Sequence, residues 1–239
     1  MYIFSKVLKL RPQTPMFSEK KKEGFLSLLV FVAVLAATFG IYGFYDKVWV
    51  RATLTADPLY VLRDTIWIAL ILLPVIAALR WSKHAFESIG PNRRDPKKNL
   101  ALGILSSVVL LSFIGILSPF LGGGFVGFSL PVVYLLMSCI VIGFGEEAVF
   151  RGYIQTRLTA NRGPVTGIAA TTLFFVVYNF PLGFFCFSGD ITLSLLFATW
   201  RLSSGLLYGY TFHRSQNFIP SSILHTFLVW GGLLFGLYL

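Results

Sequence analysis

Seven apolar runs, each close to the length a helix needs to cross a bilayer, leave this chain few residues from which to build anything else. A hydrocarbon core roughly 30 Å thick is spanned by about 20 helical residues, and the runs at 25–45, 59–79, 100–121, 131–157, 165–185, 191–212 and 218–239 meet that need. In lipid the backbone finds no water to bond, so such runs fold as helices that satisfy themselves internally. The connectors are short, and no internal repeat or low-complexity tract interrupts the pattern. The expected fold is therefore all-α, a polytopic membrane helical bundle of about seven transmembrane helices. It divides into a basic cytoplasmic segment over 1–24 and a single transmembrane helical domain over 25–239. With 56% hydrophobic, 16% aromatic and 13% charged residues, the composition is that of a membrane protein rather than a soluble globule.

The basic residues are distributed as topology signals. Twenty Lys and Arg against ten Asp and Glu give a net charge of +10, which on a soluble protein would suggest nucleic acid. Here they sit in short segments between apolar runs, so the bilayer is the expected partner and nucleic acid is not. With seven spans, Lys6, Lys9, Arg11, Lys20, Lys21, Lys22, Arg80, Lys83, Arg93, Arg94, Lys97, Lys98, Arg157, Arg162 and Arg214 fall on one side, against Lys47, Arg51 and Arg63 on the other. Cytoplasmic loops collect Lys and Arg, which places the N terminus in the cytoplasm and the C terminus outside, with the plasma (inner) membrane as the expected location. The first apolar run is too long for a signal-peptide core and lacks a small-residue cleavage pattern, so it is expected to be retained. Cys139 and Cys186 show neither ligand spacing nor a disulfide framework.

One stretch breaks the apolar pattern. In Gly145-Glu146-Glu147-Ala148-Val149-Phe150-Arg151-Gly152-Tyr153, two adjacent carboxylates and an arginine stand inside a span. Such groups cost several kcal/mol unless they pair or line a polar site, so they mark function. Glu147 lies fourteen positions before Asn161 in the turn Asn161-Arg162-Gly163-Pro164, and Asn179 lies fifteen after Pro164. Both are thus about 21 to 23 Å along neighbouring helices. Arg201, thirteen positions before Arg214, reaches a similar depth and is a proposed counter-ion for the carboxylate pair. His225, the one histidine within a span, lies only about 10 Å from the start of its run, a mismatch that tilt or an earlier helix start would reduce.

Each feature has a plainer reading. Glu147 and Arg151 are spaced as an intrahelical ion pair, and Asn179 or His225 could serve as interhelical hydrogen-bonding residues. The Gly205-x-x-x-Gly209 spacing indicates close helix packing, or less simply dimerisation.

These residues resemble a known pattern. Glu146-Glu147-Ala148-Val149-Phe150-Arg151 is similar to the E-E-x-x-x-R motif of the CAAX-protease and bacteriocin-processing (CPBP, or Abi) family of intramembrane endopeptidases. Leu173 to Asn179 occupies the place of its F-x-x-x-H motif, and Gly209 through His225 resembles its last helix. The likeness covers about 84–230, including the loop Phe86-Glu87-Ser88-Ile89-Gly90.

The resemblance implies hydrolysis of a peptide bond in a membrane-associated or lipidated peptide or protein, with glutamate-activated water. By position, Glu146 or Glu147 is the general base, Arg151 orients the pair, and His225 is the last-helix histidine. Adjacent helical positions diverge by about 100°, and Arg151 engages Glu147, so Glu146 is the favoured base. Two positions depart from the pattern: Asn179 replaces the histidine and Val229 the asparagine expected four residues after His225. One histidine and two glutamates supply fewer nitrogen ligands than most catalytic zinc centres use, so zinc is disfavoured and no cofactor is expected. Asn179 remains a donor for an oxyanion. The alternatives are a catalytically inactive scaffold, regulator or immunity factor binding a membrane partner and, last, a small transporter, for which no inverted repeat speaks.

Overall fold

The computed structural model describes residues 20–52, 59–90 and 95–236. Lys6, Lys9, Arg11, Arg93 and Arg94 of the charge tally lie outside the described residues, as does most of the basic segment 1–24.

All regular structure among the described residues is helical. The order is α1 (Lys20–Ala52), α2 (Leu59–Trp81), a 3₁₀ turn (Phe86–Ile89), α3 (Pro96–Leu117), α4 (Leu130–Glu147), a π-helical segment (Ala148–Gln155), α5 (Thr156–Arg162), α6 (Pro164–Cys186), α7 (Ile191–Ser215) and α8 (Phe218–Leu234). Because α4, the π segment and α5 run on without a break, the described residues form seven rods, one for each apolar run. Five are long and apolar enough to cross a membrane: Lys22–Ile41, Val61–Trp81, Pro96–Phe120, Pro131–Arg162 and Pro164–Phe185. Of the other two, α7 carries Arg201 and several hydroxyls among its 25 residues, and α8 is apolar but only 17 residues long.

Local chemistry sets the breaks. Gly163 takes φ 86°, a conformation in which a side chain would be strained, and Pro164 then opens α6 with its ready-set φ. The Asp190 carboxylate caps α7 by accepting from Leu193 N at 3.0 Å, and the Asn217 amide oxygen accepts from Ile219 N at 2.9 Å to start α8.

The outer faces of the bundle are apolar, and its interior sets buried charged and polar groups within a hydrophobic core. Leu105, Val109 and Ile116 of α3 are among its most exposed residues, whereas Glu146, Glu147, Arg151, Arg157, Asn179 and His225 are buried. That inversion suits a lipid solvent, where apolar side chains gain nothing by hiding and charged ones must find partners. Close approach of α8 to α4 depends on Gly143: a Cβ there would come within 2.6 Å of Thr226 Oγ1 and 3.1 Å of Ser222 O. Thr226 Oγ1 donates to Cys139 O at 3.3 Å in the same seam.

Candidate active site

The two glutamates close α4, and the π segment behind them carries Arg151 and Gln155. π turns are rare and concentrate at functional positions. This one is held from both sides. Thr156 Oγ1 donates to Arg151 O at 3.2 Å, while Arg151 Nη2 donates to Gly205 O at 3.3 Å and Gln155 Nε2 to Gly209 O at 2.9 Å. Both partners in these bonds are spaced by four residues, so they make two rungs of one ladder between the rod and α7. The Gly205-x-x-x-Gly209 spacing thus serves packing within the bundle, by letting two long polar side chains reach the α7 backbone. A Cβ at Gly209 would lie 3.1 Å from Gln155 Oε1.

On its other side Arg151 holds Glu147. Arg151 Nε lies 3.4 Å from Glu147 Oε2, and Glu147 Oε1 lies 3.3 Å from His225 Nδ1. The opposite ring nitrogen, Nε2, faces Glu146 Oε2 at 3.8 Å. Tyr178 Oη donates to the remaining Glu146 oxygen, Oε1, at 3.1 Å. One imidazole therefore stands between two carboxylates, each fixed from behind by a different residue. Glu146 is 2% exposed, His225 1%, and Glu147 and Arg151 0%. Removing one partner from such a set strands a buried charge, at a cost of about 3–5 kcal/mol.

Aromatic rings surround the polar cluster. Tyr208 stacks on His225 at 4.6 Å between centroids and 19° between planes, and Phe175 meets the same ring edge-on at 5.8 Å. Phe175 also carries the Arg151 guanidinium 5.0 Å from its centre. Buried between these groups, Tyr208 Oη has no hydrogen-bond partner.

The structure brings Glu146, Glu147, Arg151 and His225 together. His225 meets the glutamates despite the depth mismatch expected from its position. The two depths run from different ends, that of Glu147 from the Asn161 turn and that of His225 from the start of α8, and the rod of 32 residues from Pro131 to Arg162 measures about 48 Å, longer than a hydrocarbon core, so ends of neighbouring helices need not be level. Asn179 is buried at the same level, and its Nδ2 donates to Phe175 O at 2.9 Å in its own helix. Its neighbour Tyr178 is the α6 residue that touches a glutamate. Arg201 does not pair directly with the carboxylates: no acid of the described residues lies within ion-pair distance, and its guanidinium packs 4.7 Å over Phe197 and 6.0 Å from Phe175.

Sequence reasoning missed Tyr178, Tyr208 and Gln155. For Gln155 a signal existed, since it repeats the Arg151 position one turn on, as Gly209 repeats Gly205. The tyrosines gave none, because depth is countable along a helix whereas the face presented is set by packing.

The donor set does not suit a zinc ion. Both nitrogens of His225 face carboxylates, and among the described residues no group of three His, Cys, Asp or Glu side chains is arranged to hold a metal, so no step below is routed through one.

Residues 128–231 match a family model described as type II CAAX prenyl endopeptidase Rce1-like. The match takes in every residue of the cluster and begins inside the 84–230 stretch over which the resemblance was expected. No curated protein and no solved structure matched the chain.

Proposed function

From the membership of the 128–231 segment in the Rce1-like family, we propose that this chain is an intramembrane endopeptidase that hydrolyses a peptide bond near the C terminus of a prenylated or otherwise membrane-associated peptide. The observation that carries the reading is the imidazole of His225 held between Glu146 and Glu147. Glu147, neutralised by Arg151, accepts the Nδ1 proton of His225 and fixes its tautomer and orientation. Glu146 is the base: its Oε2 is the carboxylate oxygen left without a hydrogen bond on the side of His225 Nε2. It takes a proton from water as the oxygen adds to the scissile carbonyl. The tetrahedral intermediate then expels the amine as the C–N bond breaks, and the proton passes to the leaving nitrogen, directly or through His225. General acid and base groups of this kind contribute about 10²- to 10⁴-fold. The bond from Asn179 to Phe175 O fixes its amide and leaves the second N–H to stabilise the oxyanion.

The test is cleavage of a synthetic peptide carrying a prenylated cysteine followed by three apolar residues, with the purified full chain in nanodiscs. The expected products are the tripeptide and a prenyl-cysteine acid carrying one oxygen from labelled water. Glu146→Gln should abolish them. Unchanged turnover by that variant would overturn the assignment of the base, and absence of products with the unmodified chain would overturn the reaction.

A second reading rests on the burial of the cluster. With Glu146 2% and Glu147 0% exposed, the same centre suits an inactive scaffold that binds a membrane partner, which would bind the peptide without releasing products.

A further inference from the structure

The centre of the bundle contains a cation that the chemistry above leaves unused. Arg201 is 7% exposed on α7, and its Nε and Nη1 are buried without a hydrogen-bond partner. The acids nearby are engaged elsewhere: Glu147 with Arg151 and His225, Glu146 with Tyr178 and His225, and Asp64 with Arg63 at 2.8 Å. The side chain is instead braced by rings, over Phe197 at 4.7 Å and beside Phe175 at 6.0 Å. Aromatic faces stabilise a guanidinium without consuming its N–H groups. A planar fork of buried donors without hydrogen-bond partners in a low-dielectric site matches a carboxylate in both charge and geometry.

Its position relative to the reacting groups defines which carboxylate. Arg201 precedes Tyr208 by seven residues on α7, two helical turns or about 10 Å, and Tyr208 stacks on His225. Phe175 ties the two ends together, since its ring lies 6.0 Å from the Arg201 guanidinium and 5.8 Å from the His225 ring. We infer that Arg201 binds the free C-terminal carboxylate of the substrate and so fixes the chain end relative to the reacting groups. The inference rests on the peptidase reading for the cleavage it directs, but the carboxylate site can be tested without turnover.

The probe is the peptide of a prenylated cysteine and three apolar residues, made with a free C-terminal carboxylate and as its carboxamide. For the full chain in nanodiscs, kcat/KM for the acid is expected to exceed that for the amide at least tenfold. In Arg201→Gln the acid should fall to the level of the amide while the amide changes less than about twofold, and Arg201→Lys should restore part of the preference. Equal rates for acid and amide with the unmodified chain, or parallel loss of both in Arg201→Gln, would overturn the proposal and leave Arg201 a packing residue against Phe197 and Phe175 only. If neither peptide is cleaved, the peptidase reading fails and equilibrium binding of a fluorescent version decides. A tenfold tighter acid that loses its advantage in Arg201→Gln supports the carboxylate site, and equal affinities overturn it.

Discussion

His225 Nδ1 lies 3.3 Å from Glu147 Oε1, and the same glutamate takes Arg151 Nε at 3.4 Å on its other oxygen. Glu147 is thus a link between a cation and an imidazole, whereas Glu146 has a hydrogen bond on one oxygen alone. The two acids should fail differently when neutralised. Glu147→Gln strands the Arg151 charge in a fully buried site and should destabilise the protein by about 3–5 kcal/mol. Glu146→Gln should remove turnover while shifting thermal unfolding in detergent by much less. Equal losses of stability in the two variants would refute this division of roles.

A second buried pair lies toward the basic end of the bundle. Arg157 Nε lies 3.1 Å from Glu23 Oε2, and the guanidinium covers the Tyr153 ring at 3.7 Å. His84 Nδ1 approaches the other Glu23 oxygen at 3.7 Å. Glu23 belongs to α1, so the pair fastens α1 to the rod that holds Glu146 and Glu147. Glu23→Gln should lower stability by about 3 kcal/mol or more, because it removes the carboxylate that meets Arg157 at 3.1 Å in a buried pair. An unfolding temperature in detergent equal to that of the unmodified chain would show that the pair contributes nothing.

The ladder between the rod and α7 predicts coupling rather than a single large loss. Gly209→Ala places a methyl 3.1 Å from both Gln155 Oε1 and Ile168 Cγ2, and should cost about 1–3 kcal/mol as overpacking does. Gln155→Ala loses the bond to Gly209 O and should cost about 0.5–1.5 kcal/mol, the net worth of one hydrogen bond to a carbonyl that keeps its helical partner. Together they should cost less than the sum of the two, by about 0.5 kcal/mol or more, since the shortened side chain makes room for the methyl. Additive losses in a double-mutant cycle would mean that the two positions do not act as a rung.

Residues that interact within one helix were legible from the sequence, and residues that meet across helices were legible only in part. Glu147 and Arg151 are four apart, so their pairing follows from helical geometry alone. The hairpin at Gly163 and Pro164 was equally plain, since both residues act through backbone conformation. His225 looked too shallow because its depth was counted from the start of α8 and that of Glu147 from the Asn161 turn, and the two ends are not level. Asn179 was placed at the correct level, but rotation of α6 brings Tyr178 to Glu146, and no count along the chain fixes rotation. Arg201 has the expected burial without the expected ion pair, because the i, i+4 arginine already occupies Glu147.

Asn179 offers the sharpest test of how a centre with one histidine stabilises charge in the transition state. Its amide donates to Phe175 O at 2.9 Å, a bond that uses one N–H and, on the proposed reading, leaves the other for the oxyanion. A preorganised donor of this type is worth about 10²- to 10³-fold in kcat. Asn179→Ala should therefore lower kcat by about that factor with KM nearly unchanged. Tyr178→Phe, which removes the donor to Glu146 Oε1 but leaves its ring against Trp67 and Phe150, should lower kcat while shifting thermal unfolding in detergent little. A kcat within about threefold in Asn179→Ala would assign the oxyanion to another donor, and the nearest unpartnered hydroxyl on the His225 ring is that of Tyr208.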